Sequence, residues 1–295
     1  MSNGVVLALA AYAVYAWGDG IIKALGGQLS VFEIGFFNTL IAGTFMLLIK
    51  PEGETWRGFW RMQRPWAVHA RAISGLVGGI LGVFAFTTVP LAEVYALIFM
   101  APLFVTLLSI VFLKEQVGPW RWFAVLAGFA GVLLVVRPGF RALELGHFAA
   151  LIVAFLAAVT IILMRSLAQE KQTTMLGVLL VYSLVFNGAF AAATSFTIPG
   201  WHTLALLILV GACTACGHRL QLLATRRAPA NQIAPTHYSQ MIWAVLIGAI
   251  FFNEFPDRFS LAGLAVIGLA GLLTLLRERI RLGTVRWNPF ARNRL

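Results

Sequence analysis

The 295-residue chain is 60% hydrophobic and only 11% charged, which excludes a soluble globular surface. Its formal net charge of +11 is not read as nucleic-acid binding, because Lys and Arg accumulate on the cytoplasmic side of membrane proteins. Apolar runs of about twenty residues recur without period-two alternation, so they read as membrane-spanning helices and not as barrel strands.

Ten spans are predicted, near residues 3–24, 31–49, 68–88, 92–112, 119–136, 146–165, 176–197, 201–224, 230–252 and 258–276. The first run has no preceding Lys or Arg and is long enough to be a retained helix, not a cleaved leader. The segment "KPEGETWRGFWRMQRPW" interleaves Trp and Phe with Arg and is expected to form a short interfacial helix. With the N-terminus inside, Lys23, Arg137, Arg141 and Arg258 fall outside and the other 18 of the 22 basic residues fall inside. That asymmetry predicts cytoplasmic termini in a bacterial-type inner membrane, and a basic tail after residue 277 facing anionic lipid headgroups.

Polar residues inside spans are rare and face the bundle or a cavity. In span 1, Tyr12, Tyr15, Asp19 and Lys23 share a stripe. Asp19 and Lys23 read either as a structural ion pair at i, i+4 or as a charge pair at an outer vestibule near Glu33. In span 3, the glycines 75, 78, 79 and 82 permit close helix approach. In span 4, Glu93, Ala96, Leu97, Met100 and Phe104 share a face; in span 9 the matching face holds Asn231, Pro235, Tyr238 and Ser239. Pro235 is expected to interrupt span 9, and His237 falls off that face. In span 8, Thr214, His218, Gln221 and Thr225 form a polar stripe. His218 is either a packing residue or a proton relay, so a proton is a possible coupling partner. Cys213 and Cys216 lie in an apolar run and are read as packing residues.

The two halves resemble each other. "FLKEQVGPWRWFAVLAGFAGVLLVV" from Phe112 is echoed by "FFNEFPDRFSLAGLAVIGLAGLLTLL" from Phe251, so that Glu115 matches Glu254 and Gly128 and Gly131 match Gly268 and Gly271. "PLAEVYALIFM" matches "APANQIAPTHY" at a shift of 138, pairing Glu93 with Asn231 and Met100 with Tyr238. Five spans per unit is an odd number, so the second unit is inverted relative to the first. The expected fold is an all-α membrane protein of two inverted five-helix repeats, residues 1–139 and 140–277, and a tail at 278–295. Secondary transporters use this plan, with the substrate site near the midplane between units.

Three stretches carry a more specific resemblance: "GDGIIKAL" followed by "FEIGFF"; "PLAEVYALIFMAPLFVTLLSIVFLKEQVG"; and "GHRLQLLATRRAPANQIAPTHYSQMIWAVLIGAIFFNEFPD". The chain resembles the ten-helix, EamA-like members of the drug/metabolite transporter superfamily. The resemblance implies export of amino acids and related metabolites, or uptake of compounds such as S-adenosylmethionine or riboflavin. Relatives often have Arg after the paired Phe of span 2, where this chain has Asn38, so no role of that Arg carries over.

The expected activity is secondary transport or facilitated movement of a small polar metabolite, an amino acid or amino-acid derivative first. A vitamin, quaternary amine or drug is the alternative cargo, and a membrane-embedded enzyme acting on a lipid the alternative class. The sequence has no HExxH, GxSxG or phosphate-binding glycine loop, and no cofactor is expected. Candidate substrate-binding residues are Tyr12, Tyr15, Asp19, Glu93, Met100, His218, Gln221, Asn231, Tyr238 and Ser239.

Overall fold

A computed structural model describes residues 3–48, 54–114, 118–140, 142–194 and 196–284, excluding the side chains of Leu48, Leu113, Arg121, Arg165, Ala230, Asn231 and residues 274–284. Glu115 and the end of the basic tail therefore lie outside the described residues. In chain order the helices are α1 (Asn3–Leu25), α2 (Val31–Leu48), α3 (Pro65–Thr88), α4 (Leu91–Ile98), α5 (Ala101–Leu113), α6 (Pro119–Val136) and α7 (Leu145–Ser166). Next come α8 (Gln172–Thr194), α9 (Trp201–Arg227), α10 (Ala230–Ile233), a 3₁₀ turn (Ala234–Tyr238), α11 (Ser239–Phe252) and α12 (Arg258–Thr284).

Among the described residues, six segments are long and apolar enough to cross a membrane: 3–25, 65–88, 91–112 taken through its break, 145–164, 172–194 and 201–227. Shorter apolar helices cover 31–47, 122–136 and 258–273. The outside of the bundle is apolar as well as the inside. Val111, Phe112, Leu145 and Ile250 are all at least two-thirds exposed, as side chains against hydrocarbon would be.

Local chemistry explains where helices start and stop. Pro65, Pro102 and Pro119 occupy the first turns of α3, α5 and α6, where a missing N–H costs nothing. Lys114, Arg137 and Asn253 end α5, α6 and α11 in the left-handed conformation. At the start of α7, the backbone N–H of His147 is capped by the Glu144 side chain, and His147 Nδ1 accepts from the Glu144 N–H at 3.0 Å.

Packing runs across the two halves. The most extensive helix pairs are α1 with α9, α3 with α7, and α6 with α12; α2 packs on both α8 and α9, and α3 on α8. At the α6–α12 crossing, Gly131 and Gly263 face one another so closely that a Cβ on either would meet the other's carbonyl oxygen. In α3 only Gly75 and Gly78 meet a neighbouring helix, at Leu179 and Leu156; Gly79 and Gly82 face open space.

Two expectations change. Residues 54–64 form turns, with Gly58 at φ 76°, and not an interfacial helix. This segment is strapped to the far half. Glu170 accepts from the Gln63 and Arg64 amides at 2.6 Å each, and Glu54 accepts from the Thr173 amide and hydroxyl at 2.8 Å each. Carboxylates that satisfy orphan amides at helix starts leave the chain no reason to form a helix of its own. Second, span 4 was expected to be continuous, but it breaks between α4 and α5 at Phe99 and Met100. Pro102 cannot donate to the carbonyl of residue 98, and Pro235 cannot donate to that of residue 231. Both spans matched by the 138-residue shift are thus interrupted, and at the matched positions.

Candidate functional site

The two interruptions meet. Phe99 and Met100 lie between α4 and α5; His237 and Tyr238 end the 3₁₀ turn before α11. All four line one cavity of about 510 Å³, completed by residues midway along α6, α7 and α12, among them Phe129, Ile161 and Ile267. Irregular backbone at membrane depth is tolerated where it is buried in protein or lines a cavity. The lining is mostly apolar and aromatic, and among the described residues no Asp, Glu, Lys or Arg belongs to it. Tyr238 is seated by Gly271 of α12, where a Cβ would overlap the phenol ring.

A train of rings leads from α1 and α9 to this cavity. His218 meets Tyr15 edge-on at 5.6 Å, Tyr15 lies 6.4 Å from Tyr12, and Tyr12 stacks on His237 at 4.7 Å. His237 then packs on Phe99 at 4.9 Å, and Phe99 stacks on Tyr238 at 4.8 Å. The Tyr12 hydroxyl accepts from Gln221 Nε2 at 3.2 Å. Gln221 Oε1 and Ser239 Oγ are buried with no hydrogen-bond partner among the described residues. His218 Nδ1 bonds the Thr214 carbonyl at 2.9 Å, and the Thr214 hydroxyl donates to Asn38 at 3.0 Å. The stripes on α1 and α9 therefore face one another, as α1–α9 packing requires.

Asp19 and Lys23 do not pair. Lys23 Nζ bonds Glu254 Oε1 at 2.7 Å and the Val89 carbonyl at 2.7 Å, and Glu254 Oε2 accepts from the Leu91 amide at 3.0 Å. The expected ion pair is replaced because Glu254, from the end of α11, reaches Lys23 while also capping α4. Asp19 instead accepts a short hydrogen bond from the hydroxyl of buried Tyr95. Glu33 is taken up by Thr197 and Ser30 and forms no charge group with them.

Glu93 also departs from its expected place on the cavity wall. It is buried against α7, with Oε2 2.8 Å from His147 Nε2. Because His147 Nδ1 already accepts from Glu144, its proton sits on Nε2 and is donated to Glu93. Cys213 touches Gly18 of α1, whereas Cys216 is exposed, so only the first packs between helices. The side chain of Asn231 lies outside the described residues. Reasoning from the sequence omitted His237, which stands at the centre of the ring train, and Phe99, which closes it. The 138-residue shift pairs Phe99 with His237 and held the available signal.

A helical bundle with an apolar surface and a cavity at paired helix breaks defines a multi-pass membrane protein. The chain belongs to the EamA-like transporter family, whose model matches it twice, over residues 2–137 and 144–276. It is 31% identical to a riboflavin transporter of Rhizobium johnstonii over 75% of this chain and 73% of that protein. It is 26% identical to an S-adenosylmethionine uptake transporter of Rickettsia bellii, covering 88% of this chain and 89% of that one. A pseudopaline exporter of Pseudomonas aeruginosa is also 26% identical, over 92% and 95%. One solved crystal structure shares the fold with a TM-score of 0.66 and 16% identity, covering 96% of this chain and 99% of that one.

Proposed function

We propose that the chain is a ten-span carrier of two inverted five-helix units, residues 1–139 and 140–277, in the inner membrane with both termini cytoplasmic. It moves a small organic metabolite carrying a planar ring through the cavity at the paired breaks by alternating access. The observation that carries this reading is the convergence of Phe99, Met100, His237 and Tyr238 on one cavity. The double family match supports the division into two units. The helix pairs support a two-fold relation between the units: exchanging the halves turns α1–α9 into α7–α3 and α2–α9 into α8–α3, and leaves α6–α12 and α2–α8 unchanged.

Of the expected cargoes, the free amino acid gains no support. A free amino acid carries two charges, and among the described residues the cavity lining offers no charged side chain to meet either. Aromatic rings and apolar walls suit a conjugated ring, as in a flavin, and the vitamin alternative gains support from the riboflavin transporter. Among the relatives named above, none is a carrier of a free amino acid.

Purified protein in liposomes loaded with unlabelled riboflavin tests the reading by counterflow of labelled riboflavin, with S-adenosylmethionine run in parallel. Accumulation of chemically unchanged solute supports it. A changed product in the vesicle lumen supports a membrane enzyme instead.

A further inference from the structure

We propose that Asp19 is a proton-binding site that couples solute movement to a proton gradient. A carboxylate placed among membrane helices is held by a cation, by several hydrogen-bond donors, or by a proton. The cation is excluded first. The lysine one turn away, Lys23, is committed to Glu254 and the Val89 carbonyl. Donors are scarce: the Tyr95 hydroxyl is the hydrogen-bond partner of Asp19 among the described residues.

The surroundings are otherwise small or apolar. On either side of Asp19, Gly18 packs on Cys213 and Gly20 on Ile247. The elements packed against α1 bring few charges. From α9 come Cys213 near Asp19 and His218 against Tyr15. From the 3₁₀ turn comes His237, against Tyr12. From α4 comes Tyr95 itself. The α4 carboxylate, Glu93, is bonded to His147, and the sequences of α10 and α11, ANQI and SQMIWAVLIGAIFF, hold no ionisable side chain. The basic residues of α3, His69 and Arg71, sit near its start, where they bond Tyr182 and the Met175 carbonyl; Arg71 also acts electrostatically on His218, and neither bonds Asp19. Nothing in this set compensates a permanent negative charge on Asp19.

The site is also wired to the cavity. The Tyr95 hydroxyl, which donates to Asp19, accepts from buried Gln240 Nε2 at 3.4 Å. Tyr95 stands one turn before Phe99, and Gln240 two residues after Tyr238, so three groups from both halves meet beside both breaks. When a proton arrives from water on one side, an O–H bond forms on Asp19 and its charge vanishes. The Tyr95 hydroxyl is then no longer held as a donor to a carboxylate, and α4 is released relative to α1 and α11. Loss of the proton to the other side restores the carboxylate and the hydrogen bond. The coupling rests on the transport reading; the proton binding does not.

The test uses the full-length protein, first without any solute. Infrared difference spectra between about pH 4 and pH 10 follow the C=O stretch of a protonated carboxylic acid. A band that fades with rising pH and is missing from Asp19→Asn is expected. In Tyr95→Phe the same band should fade about one pH unit higher, because a donor to the charged form is gone. Identical spectra for wild type and Asp19→Asn would overturn the proposal. So would a carboxylate band that is ionised throughout and responds only to added sodium. In liposomes, net riboflavin movement by wild type should accelerate with an imposed proton gradient, and that by Asp19→Asn should not respond to the gradient, whatever its basal rate. An equal response in both overturns the coupling. If neither protein moves riboflavin or S-adenosylmethionine, the transport reading fails, and the infrared result still decides the proton site.

Discussion

Phe99 and Tyr238 stack with ring centroids 4.8 Å apart and 18° between their planes, each at the point where its own helix is interrupted. The two residues come from opposite halves of the chain, so this contact joins the halves at the cavity itself. In the proposed carrier, closing or opening the cavity requires the stack to slide or part.

The fit of Tyr238 against Gly271 gives the first prediction. Gly271→Ala places a methyl group in the space of the Tyr238 ring, while Gly268 faces open space. Overpacking of this kind costs about 1–3 kcal/mol. Gly271→Ala should lower counterflow severalfold and lower the unfolding temperature, and Gly268→Ala should change neither. Equal behaviour of the two variants would mean that Tyr238 is free to move aside.

His237 links Tyr12 to Phe99, and its two ring contacts are worth together about 1–3 kcal/mol. His237→Ala should raise the KM for the transported solute by about tenfold at unchanged protein abundance. A change in abundance alone would mark the ring as packing.

Lys23 and Glu254 tie the end of α1 to the end of α11 and the start of α4. Glu254→Gln removes the charge beside a mostly buried ammonium and should cost about 1–3 kcal/mol. Thermal unfolding in detergent measures it. Combining Glu254→Gln with Lys23→Met should recover part of the loss. Asp19→Asn should leave this tie intact, because Asp19 is not the partner of Lys23.

Glu54 gives a pH dependence. Burial raises its pKa, but the Thr173 amide and hydroxyl, the Gln172 amide and Lys171 outweigh burial and hold it below the ordinary 4.5. A carboxylate with a depressed folded pKa adds stability that is complete above the unfolded value. That stability is lost as pH falls through the folded value. Wild type should therefore unfold at a higher temperature than Glu54→Gln at pH 7, and the gap should close on acidification below about pH 4.5. A gap that persists in acid would show that the strap acts through shape and not through charge.

The orientation has its own test. Phe140 is 90% exposed beyond the end of α6, and Arg57 lies in the loop at the opposite end of the bundle. In a chain lacking Cys213 and Cys216, an impermeant thiol reagent on intact cells should label Phe140→Cys and spare Arg57→Cys. The reverse would invert the topology.

How much was legible follows from the kind of information each feature needs. The pairing of Met100 with Tyr238 was readable because an internal repeat carries register, and register places matched residues at matched depths. The Lys23 partner was not, since the i, i+4 spacing to Asp19 reports only geometry within one helix, and Glu254 is brought in by the tertiary fold. His237 was passed over because 3.6-residue periodicity puts it off the Tyr238 face. The α-helix is interrupted there, so that periodicity does not apply, and His237 and Tyr238 both line the cavity. The break in span 4 was hidden by Pro102, which reads equally well inside an apolar run and in the first turn of a new helix.

The most direct measurement of the central claim is side-specific access to position 238. Tyr238→Cys in the chain without Cys213 and Cys216 is reconstituted in one orientation and exposed to an impermeant thiol reagent from one face at a time, with and without riboflavin. The account predicts labelling from either face and protection by riboflavin from both. Labelling confined to one face whatever the solute, or none from either, would contradict it.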